Sequence, residues 1–261
     1  MDAGELVKRT RIFAALSSSE LAAMSGLPRS TVWRIEQGKS IPTTEVLNRI
    51  LAAAGYTLPR QLQPISDPAA IAAARGVLDP ASGLINTPGA NMWLRRWRAA
   101  RFVNRRLDDN EWYTDNKARL AWRAGQAATL AWRPGIKTYV QDRAWEQYAF
   151  RLADSDTDWA ATGAFAANRL CLSATAIWPV FYVDNVERTA QALQLRSGTQ
   201  IGPQVSLIPF DGVAEVGVIR DTDGLRWAAP LQVLIDCYGG ADRMIEQADA
   251  LAEQMGLGQV A

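Results

Sequence analysis

Hydrogen-bonding side chains crowd a stretch near the amino-terminal end, SGLPRSTVWRIEQGKSIP at residues 25–42. Arg29 and Arg34 could each grip a guanine through its O6 and N7 atoms, and Ser30 can hydrogen-bond either type of base. Trp33 lies among them, where it would touch a thymine methyl group or a sugar, or else pack on a neighbouring domain. We therefore predict that these four side chains read base edges in a DNA duplex.

A second set of polar residues flanks the first and suits phosphate groups. Contacts with phosphate fix the register of a protein on DNA without reading its sequence. The backbone amides around Gly38 are also placed for such contacts. In this part of the chain we predict phosphate contacts from Ser18, Thr31, Gln37 and Lys39.

Four short helices are predicted to position these side chains. Ser17 and Glu20 have the spacing of a capping box, which begins the second helix. Gly26 ends that helix, because glycine adopts the left-handed conformation at little cost. The third helix covers about residues 29–37 and has its apolar side chains on one face. Two helices joined by such a turn form a helix-turn-helix unit, whose second helix fits the major groove.

Residues 6–55 resemble the Cro/CI (XRE) family of helix-turn-helix repressors. The matching positions are Leu21, Ala22, Gly26, Ser30, Thr31, Ile35, Glu36, Gly38, Lys39, Pro42, Leu47 and Gly55. The sequence departs from the family at Ser18, where a glutamine is frequent, and at Trp33. The resemblance implies that this segment binds double-stranded operator DNA and represses transcription. The alternative is that the fold serves here as an interaction module without DNA binding.

Charge and composition set further limits on function. Residues 1–60 carry a net charge of +3, residues 61–150 carry +5, and residues 151–261 carry −7. A basic front joined to an acidic back is expected when one part of a chain meets phosphates and another meets a different partner. The chain contains no histidine, which removes the commonest general base and the commonest transition-metal ligand.

Two acidic motifs partly resemble catalytic or metal sites. DSDTD at residues 154–158 lacks the glycine and the later glutamate of a calcium loop, so helix capping is the preferred interpretation. Asp184 ends a predicted strand but lacks the second carboxylate that a nucleotidyltransferase needs to hold its metal. We therefore predict that the chain is not an enzyme and has no catalytic residues, no metal ion and no cofactor.

Location follows from apolar patterning and from the cysteines. No apolar run reaches the length of about 18 residues that a membrane span requires, and the opening segment lacks the features of a signal peptide. Cys171 and Cys237 lie in apolar contexts that suit buried, reduced thiols. We expect a cytoplasmic protein that does not contact membranes.

The middle of the chain divides into two segments. Residues 58–90 are rich in proline and glycine around one alanine-rich helix, which predicts a linker with a short helix. Residues 91–150 are basic and rich in tryptophan and arginine. In one interpretation this region is a winged helix with a second phosphate-binding surface, and the contacts come from Arg95, Arg98, Arg101 and Arg105.

The alternative for the same region is an ordinary amphipathic helix. Its tryptophans, Trp93 and Trp97, would then lie in the core. Its arginines would be solvated or paired with acidic residues that follow, which are Asp108, Asp109 and Glu111.

Residues 151–261 alternate between helical and strand patterns, which predicts a compact α/β domain. Strands are expected at residues 177–183, 203–209 and 213–219, and the last helix at about residues 242–255.

Residues 145–257 resemble the carboxy-terminal domain of AbiEi-type antitoxins of type IV toxin–antitoxin systems. The resemblance rests on the motifs WAATGAFAANRL, YVDNVE, LIPFDG and GLRWAAPLQVLIDCYGGADRMIEQADAL. It implies that the domain counteracts a nucleotidyltransferase-like toxin encoded nearby and that the protein represses its own operon. Family members usually carry a winged helix at the amino-terminal end, and this chain departs from them by its Cro/CI-type segment.

Together these patterns predict a multidomain α and α/β protein, with an all-α helix-turn-helix domain at residues 1–57 and a larger α/β (α+β) domain at residues 151–261. The expected function is that of an operator-binding repressor that is also an antitoxin; whether it acts as a homodimer is left open. One alternative is a repressor that senses a ligand or partner and counters no toxin. Another is a phage immunity repressor with two DNA-binding modules.

Overall fold

The computed structural model describes residues 2–58, 64–106, 108, 111–171, 178–198, 202–241 and 243–260. The chain divides into two compact units, Met1–Gln63 and Pro64–Ala261. The first unit is helical, and the second combines helices with β-sheets. This architecture confirms the predicted fold class, α followed by α/β. Within the described ranges, no helix is long and apolar enough to cross a membrane.

The described part of the first unit, residues 2–58, contains four helices, as the sequence predicts. They are α1 (Ala3–Phe13), α2 (Ser18–Ser25), α3 (Arg29–Glu36) and α4 (Thr44–Ala53). Each contributes apolar side chains to one small core, which contains Val7, Leu21, Ala22, Val32, Ile35 and Ile50. Their burial provides most of the free energy that holds helices this short in place.

The ends of α2 are set by local chemistry. The Ser17 hydroxyl accepts from the amide of Glu20, and the Glu20 carboxylate accepts from the amide of Ser17, which confirms the predicted capping box. Gly26 follows the helix with φ +63°, a left-handed conformation that favours glycine. The turn that sends the chain into α3 therefore lies where the sequence places it.

The second unit begins with helices and a small hairpin. Its first elements are α5 (Pro68–Leu78), α6 (Ala90–Ala99), β1 (Asn104–Arg105), β2 (Trp112–Tyr113) and α7 (Lys117–Ala127). Short 3-10 turns at Pro80–Ser82, Leu84–Asn86 and Leu130–Trp132 connect them to each other and to the elements that follow. β1 and β2 pair antiparallel as a two-stranded sheet.

The remaining elements alternate between strand and helix. They are β3 (Lys137–Val140), α8 (Trp145–Ala153), β4 (Trp159–Thr162), α9 (Gly163–Leu170), β5 (Val180–Val183), α10 (Val186–Ala192), β6 (Gln204–Pro209), β7 (Ile219–Arg220), β8 (Arg226–Trp227), α11 (Pro230–Tyr238) and α12 (Arg243–Gln254). Their strands form a six-stranded mixed sheet of order β3-β6-β5-β4-β8-β7. The β5–β6 and β4–β8 pairs are parallel and the others antiparallel.

Helix α11 lies at the centre of this unit. It contacts α7, α9 and α12, and its residues 232–238 are all buried. Gly125 of α7 packs so closely on it that a Cβ atom there would lie 2.6 Å from the Cβ of Tyr238. Such proximity allows only glycine at this crossing.

The division of the chain differs from the predicted one at residues 58–90. These residues supply α5, whose side chains from Ala70 to Val77 are all buried in the core of the second unit. The boundary lies between Gln63 and Pro64, and α6, the β1–β2 hairpin and α7 share the same unit as the large sheet. The predicted separation of residues 91–150 from residues 151–261 is therefore not observed.

A second difference concerns the predicted strand at residues 213–219. Residues 214–217 form a turn, and of residues 213–219 only Ile219 belongs to a strand. The guanidinium group of Arg75 in α5 donates to the carbonyl oxygens of Val213, at 2.8 Å, and Val216, at 2.6 Å. Alternation of apolar residues mimicked a strand here, while the buried arginine requires carbonyl groups that a sheet would use.

Both cysteines are free, as the sequence predicts. Cys237 is buried in α11 and Cys171 is half-buried. Burial raises the pKa of the Cys237 thiol well above its usual range, which makes this cysteine an apolar core residue rather than a reactive one.

Candidate nucleic-acid interface

Helix α3 presents two chemically distinct faces. Val32 and Ile35 lie in the core of the first unit, at 0 % and 1 % exposure. The side chains of Arg29, Ser30 and Arg34 are exposed on the opposite side. This division follows the 3.6-residue period and places the predicted base-reading residues together on the solvent face.

The charged groups on this face have no competing partners. Across the described parts of the chain, the guanidinium groups of Arg29 and Arg34 form neither an ion pair nor a hydrogen bond. Pro28 precedes the helix and supplies no side-chain cap, so no side chain accepts from the first amides of α3. The guanidinium donors of Arg29 and Arg34 are thus available to an anionic ligand, whereas the Thr31 amide already donates to the carbonyl oxygen of Pro28 at 2.9 Å.

Trp33 and Lys39 form a pair beside the arginines. The Lys39 ammonium lies 4.5 Å from the centroid of the Trp33 ring, and the Trp33 side chain is 46 % exposed. The cation is held over the ring face by electrostatic attraction. The indole therefore positions a lysine next to the exposed face of α3, a role that neither predicted alternative for Trp33 included.

An ion pair holds α3 from its buried side. The carboxylate of Glu36 accepts from Arg11 Nε at 2.6 Å and from the hydroxyl of Ser18 at 3.3 Å. Arg11 also donates to the carbonyl oxygen of Leu16 at 3.2 Å. Only 4 % of the Glu36 side chain is exposed, so this contact joins α1, α2 and α3 away from solvent. Local sequence patterns indicate no role for Arg11, and they indicate none for Glu36 beyond its match to the Cro/CI family.

This geometry bears on the predicted phosphate contact of Ser18. Its hydroxyl proton is committed to Glu36, and a phosphate at the same oxygen would approach a carboxylate. The other predicted phosphate contacts of this unit are placed differently: Gln37 and Lys39 are exposed beyond the end of α3, and Thr31 is half-buried. The structure brings these three to the surroundings of the exposed arginines and gives Ser18 an internal partner.

The four remaining predicted phosphate contacts belong to the second unit. Arg95 and Arg98 project from α6, Arg101 follows that helix, and Arg105 lies in β1 with its guanidinium 5.4 Å from the centroid of the Trp112 ring. The tryptophans of α6 are in the core, as the amphipathic-helix interpretation expects. These four arginines belong to the second unit, and the α3 face belongs to the first.

The second unit also encloses a polar cluster around Asp236. Its carboxylate accepts from Arg133 at 2.7 Å, from Thr162 at 2.7 Å, from Gln232 at 3.1 Å and from the hydroxyl of Tyr182 at 3.0 Å. Burial raises the pKa of the Asp236 carboxyl, and the Arg133 guanidinium opposes that rise. All these groups are buried, so the cluster fixes α11 against the sheet and is closed to large ligands.

The described residues contain no group of three or more histidine, cysteine, aspartate or glutamate side chains that could hold a metal ion.

Neither the curated proteins nor the solved structures include one that matches the chain. The likeness of residues 145–257 to AbiEi-type antitoxins therefore stays a prediction.

The first unit does find a match among protein families. Residues 8–60 match the family model described as Helix-turn-helix, which covers the whole of α2, α3 and α4. The match confirms the Cro/CI-type resemblance of this segment. The amino-terminal unit is thus a helix-turn-helix domain of the Cro/CI type, and the chain that carries it is a DNA-binding transcription regulator.

Proposed function

We propose that this protein is a repressor that reads its operator with the exposed face of α3. The observation that carries the proposal is the pair of unpartnered guanidinium groups, Arg29 and Arg34, on a helix whose other face is docked in the core. An arginine bonded twice to guanine is the commonest specific contact in the major groove. Ser30 would add a hydrogen bond to either type of base.

Phosphate contacts would set the register of α3 in the groove. Lys39 is held over Trp33 and exposed, so its charge is available to the DNA backbone. Thr31 and Gln37 flank the same face. Contacts of this kind add affinity that depends on salt but little preference for sequence.

Replacing Arg34 by alanine tests the proposal. The operator is first obtained by selecting duplexes from a random pool with the full chain. If the operator contains two half-sites one helical turn apart, the protein binds as a homodimer. We expect Arg34→Ala to weaken operator binding by about 1–3 kcal/mol, roughly 5- to 150-fold, with little change on unrelated DNA. Fluorescence anisotropy at fixed salt measures both affinities.

The matched control is Arg49→Ala, which removes an exposed arginine from α4 of the same unit. It changes the net charge equally but lies outside the proposed base-reading set. If both variants lose affinity equally, on operator and on unrelated DNA, base reading by Arg34 is contradicted.

We further propose that the second unit neutralises a nucleotidyltransferase-like toxin encoded nearby. Support comes from the order of the resembling motifs, which fall in β4 and α9, then β5 and α10, then β6, then β8 and α11. Many of their side chains, such as Trp227 and Gln232, are buried, so the likeness concerns the fold more than a binding surface. The net charge of −7 over residues 151–261 would suit a basic partner.

Co-expression tests this second role. The neighbouring gene is expressed with the full chain or with residues 64–261, and growth is scored. Rescue by both would assign antitoxin activity to the second unit. No rescue by the full chain, or no such gene beside this one, would instead favour a repressor that senses a ligand or partner.

A further inference from the structure

Helix α6 carries an exposed row of arginines on the second unit. Trp93, Leu94 and Trp97 are buried on one side of the helix. Arg95 and Arg98 are exposed on the other side, three residues apart, and the exposed Arg101 continues the same spacing just beyond the helix. No aspartate or glutamate occurs between residues 90 and 106.

The arginines of this region differ in what they contact. Five guanidinium groups lie over aromatic rings, at 4.6–5.6 Å from the ring centroids, and these belong to Arg96, Arg105, Arg106, Arg119 and Arg123. Within the described ranges, the guanidinium groups of Arg95, Arg98 and Arg101 have no ion pair, hydrogen bond or ring contact. We call these three residues the α6 arginine face.

The stability of the fold does not explain why arginines occupy the α6 arginine face. Like charges three residues apart on a helix repel each other. Arg101 has φ +60°, in the left-handed region where a residue with a Cβ atom is strained and glycine is preferred at a helix end. The helix dipole stabilises cations in the last turn, such as Arg98. It does not explain an arginine at position 95 in mid-helix or one in the strained conformation of Arg101.

We infer that the α6 arginine face binds the phosphate backbone of the DNA duplex that α3 reads. The inference rests on the proposed function. Arginine suits phosphate because its planar fork donates two parallel hydrogen bonds. Both units belong to one chain, so binding of the first unit to a duplex raises the effective concentration of the second unit at that duplex. That tether favours duplex DNA over RNA or an acidic protein.

The test is a triple variant of the full chain, R95Q/R98Q/R101Q. Glutamine keeps the helix propensity of arginine, so the fold should persist, which circular dichroism checks. If all three residues contact phosphate, the slope of log affinity against log salt should fall in magnitude by close to 3, about 0.9 for each contact. Operator affinity should fall by about tenfold or more, with the preference among sequences unchanged.

The matched control is R151Q/R188Q/R220Q, which removes three exposed arginines from α8, α10 and β7 of the same unit. Both triple variants change the net charge equally. If the two triple variants have the same salt slope and the same operator affinity, the inference is overturned. An unchanged DNA slope together with lost binding of R95Q/R98Q/R101Q to single-stranded RNA would also overturn it.

A single variant separates contact from stability. Arg101→Gly relieves the strained conformation and should raise the Tm of the second unit. It should also lower the magnitude of the salt slope by about 1. A raised Tm with an unchanged slope would overturn the role of Arg101.

Failure of the inference is distinguishable from failure of the proposed function. If the full chain selects no sequence from a random pool, the proposed function fails. If it selects an operator and Arg34→Ala weakens that binding, while both triple variants bind equally, only the role of the α6 arginine face fails.

Discussion

At the scale of single residues, Glu36 supports the proposed reading face without touching DNA. Its carboxylate accepts from Arg11 and Ser18 and is almost completely buried. Removing one partner from a buried ion pair leaves the other charge without compensation, which costs more than the loss of an exposed pair. The orientation of α3 therefore depends on a contact between three helices.

Glu36→Gln should destabilise the first unit by about 1–3 kcal/mol, because the amide cannot compensate the Arg11 charge and accepts fewer hydrogen bonds. The control is Glu45→Gln, an exposed glutamate in α4. Hydrogen exchange of peptides from residues 2–58 in the full chain measures the difference. Equal protection in both variants would show that the ion pair does not hold α3.

Residue spacing predicted the faces of α3 well, for a physical reason. The period of the helix fixes which of Arg34 and Ile35 is buried, and both lie as expected. The Arg11–Glu36 pair joins residues 25 positions apart, a separation that no local pattern encodes. The internal partner of the Ser18 hydroxyl, Glu36, lies on another helix, so local spacing does not reveal it.

At the scale of elements, the composition of residues 58–90 predicts a linker with a short helix, whereas α5 in this segment is a core helix of the second unit. Pro68 begins this helix, where a missing amide proton costs nothing. Gly76 allows a close approach: a Cβ atom there would lie 2.5 Å from the backbone nitrogen of Ile85. Proline and glycine thus mark a helix start and a packing contact in a segment whose composition resembles a linker.

Deleting α5 should abolish folding of the second unit. A fragment of residues 64–261 should unfold cooperatively, whereas residues 91–261 would lose the buried side chains from Ala70 to Val77 and the Arg75 contacts to residues 213–216. Large loss of buried apolar surface costs far more than a domain's net stability. Thermal unfolding followed by circular dichroism compares the two fragments. A cooperative transition in residues 91–261 would contradict the placement of α5.

At the scale of the whole molecule, the order of patterns was enough to predict the fold class. Helical periods in the first 55 residues and alternating patterns after residue 155 gave an α unit followed by an α/β unit. The boundary between the two units was harder to predict, because buried alanines such as Ala72 and Ala73 give weak periodic signals. The mixed strand order was not predicted, since pairing between distant strands depends on packing across the whole unit.

Charge is distributed unevenly along the whole chain. The first 150 residues are basic and the rest are acidic. A basic part that includes both the α3 face and the α6 arginine face suits a chain that holds one duplex with two surfaces. The acidic remainder stays available for the proposed toxin.

The proposed function depends above all on base reading by the exposed side chains of α3. It is tested most directly by measuring the affinity of the full chain, with and without Arg34→Ala, for duplexes that carry every single base-pair change in the selected operator. We expect the variant to lose its base preference at one position and to keep its preferences elsewhere. An unchanged preference at every position would show that Arg34 reads no base.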